Sequence, residues 1–508
     1  MFSDKVAPEN LSTKRLDSDF YRPEYIEIDN TLSNLNCVKL GTIGKFFTGP
    51  FGSLLPSNLY LNEGIPLFRV GNVGQFEALS ENFAYLAPSV HEQLKVSEVV
   101  AGDLLLVKAS VGEKICKVPE WLPKANITQH IIGIRPNQSK DTDYISAFLF
   151  CYYGVGQLQR YSLGSIIQYL GITDAKDVNL YSPDPLVQKY IGDKVRQAEQ
   201  LRAWAKRLAL SIEDLLTSSD DYLSACRTPE KKITRPQLSD LSNRLDPKYY
   251  GNKAIAVHRF TRKTGMPLAT LITSVANGFE ERSFIENGLA YITVSEVSSG
   301  RLDAQSAPKI SKSIDVPQKA VIHETCVLVV RTGSIGTAVK VHALDKGCAI
   351  SSHLIRLEFE DEETAAAVAV FLNSSAGKVL LHKISYGAVQ PQIGQEELLA
   401  LNIPEYVLNE KTQCLALLNS YELAIRASKS LTASAKNLVE ALIKGQLTEQ
   451  QLIQAQLALE DGDNSLDQAI LSKLSAEGYA IEGATPLFSD VDELYSLLEE
   501  AAQAEAEE

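Results

Sequence analysis

Apolar residues along this chain follow two rhythms, and the pair of rhythms occurs twice. Short apolar or alternating runs, such as 103–108 and 327–331, are bounded by Gly, Asn, Pro and Ser and predict β-strands. A spacing of three and four then takes over. Ile191, Val195, Ala198, Leu201, Ala205, Leu208, Ile212 and Leu215 form one stripe. Cys414, Leu418, Tyr421, Ile425, Ser428, Leu431, Ala435, Leu438 and Leu442 form a second. Each stripe predicts a long helix of about thirty residues, and each follows a proline, Pro185 or Pro404, that can open it. Two such helices in equivalent places predict a mutual antiparallel coiled coil. The alternative is that each packs separately on its own domain.

An internal repeat underlies the alternation. Arg15-Leu16-Asp17 with Phe20-Tyr21 recurs as Arg244-Leu245-Asp246 with Tyr249-Tyr250. Residues 64–70 (GIPLFRV) recur as 288–294 (GLAYITV), and 103–108 (DLLLVK) as 326–331 (CVLVVR). Lys117-Val118 recurs as Lys340-Val341, and Gly164 as Gly387. Ile127-Thr128-Gln129-His130 recurs as Ile350-Ser351-Ser352-His353. Each copy runs from a β-rich stretch through a short helix (144–153; 363–373) and a glycine-containing loop (162–168; 385–392) to a proline and the long helix. The fold class is therefore α+β. Two tandem β-rich domains are expected at 1–184 and 241–403, with long helices at 185–219 and 404–445. A polar linker falls at 220–240, and a small helical acidic extension at 446–508.

Charge complicates this picture. The chain carries a net −14, but residues 451–508 hold 14 acidic residues against the single Lys473, a net of −13. The rest has 48 basic and 49 acidic residues and is almost neutral. Such a body permits a local basic face without itself pointing to nucleic acid, and affinity for phosphates is expected to need a partner protein. The seven cysteines are far apart and form no CxxC pair, which argues against a zinc site or disulfide framework and for a reducing, cytoplasmic setting. The N-terminus has no apolar signal core, and the most apolar run, 144–155, is too short to cross a bilayer. No membrane role is expected.

Catalytic signatures are missing. No Asn/Asp-Pro-Pro-aromatic segment occurs. Gly41-Thr42-Ile43-Gly44-Lys45 is too short for a phosphate loop and is followed by Phe46, and Gly154-Val155-Gly156 lacks the third glycine of a dinucleotide fingerprint. The seven histidines show no metal-ligand spacing. Neither a catalytic centre, a metal nor a cofactor is expected.

The order repeat, long helix, repeat, long helix resembles the specificity subunits of type I restriction–modification systems. Arg15–Tyr25 looks like that family's N-terminal lead-in. Gly49-Pro50-Phe51-Gly52-Ser53 followed by 64–70 looks like the start of a target-recognition domain, and Gly102-Asp103 and Gly156-Gln157 also fit. The likeness covers roughly residues 15–443. In the second copy Gly49–Ser53 becomes Asn277-Gly278-Phe279-Glu280-Glu281, as expected if the halves read different bases. The stretch beyond Gly445 lies outside the pattern. The resemblance implies a non-catalytic subunit that reads a bipartite target in double-stranded DNA, one half per recognition domain. It implies that the long helices set the separation and dock two methyltransferase subunits, that the methyl donor binds those subunits, and that a motor-nuclease restriction subunit completes the complex. DNA-recognition subunits of other phage-defence or type IIB-like assemblies are the alternative. A nuclease of unrecognised type and a purely structural adaptor are more distant ones.

Base reading needs donors and acceptors held at fixed geometry on loops: Arg or Lys for guanine, Asn or Gln for adenine, small polar groups for thymine. In the first copy the candidates are Lys45, Ser53, Arg69, Asn72, Lys108, Ser110, Lys114, Gln129, His130 and Gln168. In the second they are Arg282, Ser295, Arg331, Thr332, Ser334, Ser352, His353, Gln390 and Gln392. Gly164 and Gly387 are expected to permit a tight turn. The acidic extension is expected to be a regulatory or partner-docking segment outside the DNA-reading core, docking on the long helices, on a methyltransferase or on the motor subunit, since Leu466, Ile470, Leu474, Phe488, Val491, Leu494, Leu497 and Leu498 are too many apolar residues for a solvated tail.

Overall fold

The repeat is visible strand by strand. The computed structural model describes residues 11, 15, 17–109, 111–112, 114–164, 168–387 and 389–506, which divide into two units, 1–202 with 426–508 and 203–425. In the first unit the strands are β1 (Cys37–Lys39), β2 (Gly44–Thr48), β3 (Ile65–Phe68), β4 (Ala84–Leu86), β5 (Glu98–Val100), β6 (Leu104–Val107), β7 (Ile115–Lys117), β8 (Lys124–Ile127), β9 (Ile131–Pro136) and β10 (Asn179–Tyr181). One sheet has the order β2-β9-β6-β7 and a second the order β4-β3-β8-β5, while β1 pairs with β10.

The second unit repeats this with β11 (Gly265–Pro267), β12 (Ile272–Asn277), β13 (Leu289–Ile292), β14 (Lys309–Ile310), β15 (Cys326–Val330), β16 (Ala338–Lys340), β17 (Ala349–Ile350), β18 (Leu354–Phe359) and β19 (Asn402–Pro404). Its sheets run β12-β18-β15-β16 and β14-β13-β17, and β11 pairs with β19; the edge strand β5 is reduced in this unit to a single Val321–Ala349 bridge. Even the one parallel pairing of each second sheet, β3 with β8 and β13 with β17, is reproduced.

The central strands are buried on both faces, which is why they read as unbroken apolar runs rather than as alternation. Along β15 the two-residue period sends Val327 and Val329 into a core shared with the helices Glu362–Asn373 and Ser375–Ile384. Cys326, Leu328 and Val330 enter a different core, built with β13 and β17. Those two helices together are apolar enough to resemble a bent membrane span, but they are the core helices of this unit; among the described residues no single helix is long and apolar enough to cross a bilayer.

Each long helix has 33 residues, Pro185–Thr217 and Lys411–Ile443. The second begins later than the sequence suggests. Pro404 ends β19, and a short helix Glu405–Asn409 stops at Glu410 before the long one starts. The expected linker is also partly ordered. Ser219 caps a helix, Asp220–Cys226, whose Tyr222 and Ala225 enter the core of the second unit. Two well-placed apolar residues there outweigh a polar composition.

The acidic extension is packed onto the first unit. It forms helices Glu449–Glu460, Ser465–Leu471 and Val491–Ala506 and the hairpin Leu474–Ser475 with Gly478–Tyr479. Leu452, Ile470, Leu474, Phe488, Leu494 and Leu497 are buried, whereas Leu466 stays exposed. Asp467 ties it down through Lys194 and the hydroxyls of Tyr190 and Tyr495. Glu449 accepts from the Tyr181 hydroxyl at 2.8 Å and the Asp184 amide at 2.9 Å, and Ser475 accepts from the Asn437 amide group at 2.7 Å. Of the docking surfaces expected for it, the extension meets the long helices, which carry Lys194 and Asn437.

Candidate nucleic-acid interface

Three loops meet at one edge of each unit, and their backbone bonding is the same in both. The end of β6 receives a bond from the amide of Leu170 to the Lys108 carbonyl, and the Lys108 amide donates to the His130 carbonyl, both at 2.9 Å. In the second unit Ile393 donates to Arg331 and Arg331 to His353, again both at 2.9 Å. The turn between β8 and β9 is pinned by Thr128 donating to Phe68 and Ile131 to Thr128; Ser351 to Ile292 and Leu354 to Ser351 reproduce this. The third loop closes on itself through the Leu163–Tyr169 bridge and touches the strand end through Ala109–Tyr169. Its counterparts are Tyr386–Gln392 and Thr332–Gln392.

Glycines let these loops come so close. Gly164 and Gly387 sit at φ +119° and +97°, the turn geometry expected of them. At Gly49 an added Cβ would stand 2.0 Å from the Ile127 carbonyl oxygen, and at Gly278 2.0 Å from that of Ile350. The polypeptide leaving β2 or β12 therefore lies directly against the β8–β9 or β17–β18 turn.

The skeleton gathers many of the sequence candidates and leaves others apart. In the first unit His130 is exposed on the turn, not within a strand, and its Nε2 lies 3.3 Å from Nε2 of Gln129. Gln129 also accepts from the Gly52 amide at 3.2 Å, which brings the exposed Ser53 loop alongside. A cleft of about 530 Å³ opens beside them, lined by Tyr60, Arg69, Val70, Gly71, Asn72, Glu81, Asn82, Thr128 and His130. Arg69 is half-buried there and donates to the Asn82 carbonyl. Gln168 is exposed on the third loop. Lys45 is exposed on β2, facing Arg135 across the strand pair, and the half-buried Lys114 donates to the Val70 carbonyl at 3.4 Å. Ser110 lies outside the described residues.

Two candidates of the first unit turn inward. Asn72 is 2% exposed; its carbonyl oxygen accepts from the Arg69 amide, and its NH₂ donates to the Leu79 and Glu81 carbonyls. That hydrogen bonding holds the loop and leaves little for a base. Glu296 does the same for Thr293 in the second unit, at 2.7 Å. Lys108 is 6% exposed, with its ammonium 5.5 Å from the centre of the Tyr169 ring. A buried stem and a cation over an aromatic face make it part of the platform.

In the second unit Arg331 is half-buried and donates to the Ser352 carbonyl at 3.5 Å, beside the exposed His353. Thr332 is buried, Gln392 is half-buried in the third loop, and Ser334 and Gln390 are exposed. Ser295 is exposed in the loop after β13. Arg282 is exposed and held by Glu280. Sequence reasoning missed the aromatic residues of the third loop, Tyr169 and Tyr386, at 39% and 43% exposure. Their spacing from the glycines 164 and 387 is not itself a signal, because the two tyrosines are not at equivalent positions. Among the described residues no group of three or more His, Cys, Asp or Glu side chains is placed to hold a metal ion.

No protein-family model matches this sequence, and no curated protein matches it. Solved structures do. The crystal structure of a type I restriction–modification system S subunit from M. genitalium is similar at 12% identity and a TM-score of 0.44, covering 80% of this chain and 96% of that one. An HsdS subunit from Thermoanaerobacter tengcongensis is similar at 14% identity and a TM-score of 0.28, covering 81% and 97%. The type IIG restriction endonuclease BpuSI is similar at 10% identity and a TM-score of 0.29, over 35% of this chain and 28% of that one.

Proposed function

We propose that this chain is the sequence-reading subunit of a type I restriction–modification assembly, with each unit reading one half of a bipartite duplex target and the chemistry supplied by partner subunits. One observation carries the reading: the same loop skeleton is built twice, with the same hydrogen bonds, and is furnished with different side chains. Two scaffolds with the same loop bonding and different loop side chains suit two half-sites of different sequence. Gln129, Arg69, Ser53 and Gln168 supply donors and acceptors in the first unit, and Arg331, Ser352, Gln390 and Gln392 in the second, the residue types that match base edges. The long helices pair as a spacer and dock methyltransferase subunits, and a motor-nuclease subunit completes the restriction complex.

The test is methylome sequencing of cells with and without this chain. A split motif that disappears on deletion supports the reading. An unchanged methylome, or loss of one continuous motif, overturns it.

A further inference from the structure

The two loop faces differ at some positions and agree at others, and that pattern separates two kinds of DNA contact. This inference rests on the DNA-reading function proposed above. Phosphate contacts fix register and orientation without carrying sequence information, whereas base-edge contacts carry it. A unit that reads one half-site needs the first kind whatever the bases are. It needs the second kind to differ from its sister.

The backbone of the two faces is superposable by its bonds, so equivalent side chains leave from equivalent points. His130 and His353 are the same residue at the same place, with each carbonyl held by the residue that ends β6 or β15. Both are exposed. A structural histidine would be turned in, as His91 is; at 1% exposure its Nδ1 meets Asn126 and its Nε2 lies 2.8 Å from Glu98. Neither fold nor core therefore explains why the turn histidine is kept in both units. The residue before it changes from Gln129 to Ser352. The bridged residue of the third loop changes from Tyr169 to Gln392.

We infer that His130 and His353 are the backbone-anchoring contacts of the two units, donating to DNA phosphate, and that Gln129 with Tyr169, and Ser352 with Gln392, are the specificity-determining pairs. Gln129 suits adenine through its paired amide donor and acceptor, and Tyr169 offers an apolar face to a thymine methyl group. In the second unit Gln392 takes the amide role from the neighbouring loop, and Ser352 leaves room on the turn. Amide and small or aromatic partner thus exchange loops between the units.

The experiment uses the full chain in cells that carry its partner subunits, with methylome sequencing as readout, and binding of the assembled complex to motif DNA across a salt series. His130→Ala and His353→Ala are expected to leave every letter of the motif unchanged and to weaken binding by about tenfold, uniformly across target sequences. The double variant Gln129→Ser with Tyr169→Gln is expected to relax or change letters in one half-site only. The double variant Ser352→Gln with Gln392→Tyr is expected to do so in the other half only. The histidines are exposed, whereas Gln129, Ser352 and Gln392 are half-buried and Tyr169 covers the Lys108 ammonium, so a thermal melt matching the wild type is used to show that each variant is folded. Histidine variants that change motif letters, or leave affinity unchanged, overturn the assignment, as do paired variants that leave both half-sites intact. If deleting the chain leaves the methylome unaltered, DNA reading itself fails, and the two failures are told apart.

Discussion

The carboxylate of Asp467 lies 2.7 Å from the ammonium of Lys194, and each side chain is only 1% exposed. The first comes from the acidic extension and the second from the long helix that follows the first repeat. Burial alone pushes the Asp467 carboxyl up, but Lys194 and the hydroxyls of Tyr190 and Tyr495 outweigh it and hold it below the usual carboxylate range. Removing one member of such a pair strands a charge in a low-dielectric interior. Asp467→Ala is therefore expected to destabilise the first unit by about 3–5 kcal/mol, and Asp467→Asn by less. Two-transition calorimetry checks this, because the melting of the second unit should not move. Stability from this group is present above the unfolded carboxyl pKa and is lost as pH falls through the lower folded value.

Cutting the chain after Gly445 removes Asp467, Glu449 and the apolar side chains of three helices at once. The truncated chain is expected to lose the cooperative melt of its first unit while the second still unfolds cooperatively. Near-ultraviolet circular dichroism, with limited proteolysis to locate the unfolded unit, measures this. A truncated chain with both transitions intact would show that the extension only rests on the surface.

A substitution between the repeats produces another prediction. Arg160 in the first unit is paired with Asp29, and at the equivalent positions stand Lys383 and His258. Lys383 is 3% exposed, and burial with Arg244 nearby pushes its ammonium down to about 8. Burial, Lys383 and Arg262 push His258 down to about 4. The unfolded chain takes up a proton on this histidine near its ordinary value of about 6.5, before the folded chain does. The second unit should therefore lose stability between about pH 6.5 and about pH 4, with no further loss from this group below that. His258→Asp restores the carboxylate of the first unit. It should raise stability at neutral pH by about 1–3 kcal/mol, remove the histidine's acid-side loss and lift the Lys383 value, as urea unfolding at pH 7 and pH 5 can measure.

Asn72→Ala should cost about 1–3 kcal/mol, because the Arg69 amide and two loop carbonyls lose their partner. The same variant should leave the letters of any methylated motif unchanged, since that side chain is turned away from the surface. Denaturant unfolding and methylome sequencing of one strain check both halves of this expectation.

The cysteines give a simple chemical test. Burial pushes the thiols of Cys37, Cys348 and Cys414 up to about 11 and that of Cys151 to about 12, and it raises Cys116 further. The thiolate is the reactive form, so alkylation of the folded chain at pH 7.5 should be slow at all five and fast once the chain is unfolded. Mass spectrometry after timed iodoacetamide treatment would show the contrast. Rapid labelling of Cys116 or Cys151 in the folded chain would contradict the packing described.

Much of the fold was legible in the sequence because it is written twice. The offset of 223 between Lys117 and Lys340, or between His130 and His353, aligns the copies without a single strand being assigned. What stayed hidden depends on tertiary contact. Helix Asp220–Cys226 looks like linker because five of its seven residues are small or acidic, and only the core shows that Tyr222 and Ala225 are buried. At the candidate interface, residue type pointed to loops that the fold brings together but not to the direction in which side chains point. Asn72 and His130 are both plausible base readers by chemistry, and hydrogen bonds made inside the loop send one inward while the other faces solvent. The anchoring of the acidic extension stayed hidden for a related reason: a charge count cannot show that Asp467 faces a buried lysine.

The division of the chain also sets an order in time. The second unit is one continuous segment, but the first needs residues 426–508 as well as 1–202. Lys194 leaves the ribosome 273 residues ahead of Asp467. At roughly 5–20 residues per second, that is on the order of 15 to 50 s of synthesis. During that interval the second unit can be completed while the first still lacks the helices that cover Lys194 and its neighbours. The half of the protein made first is thus the half that finishes folding last, and its uncovered helix is where a growing chain would need shelter from chaperones.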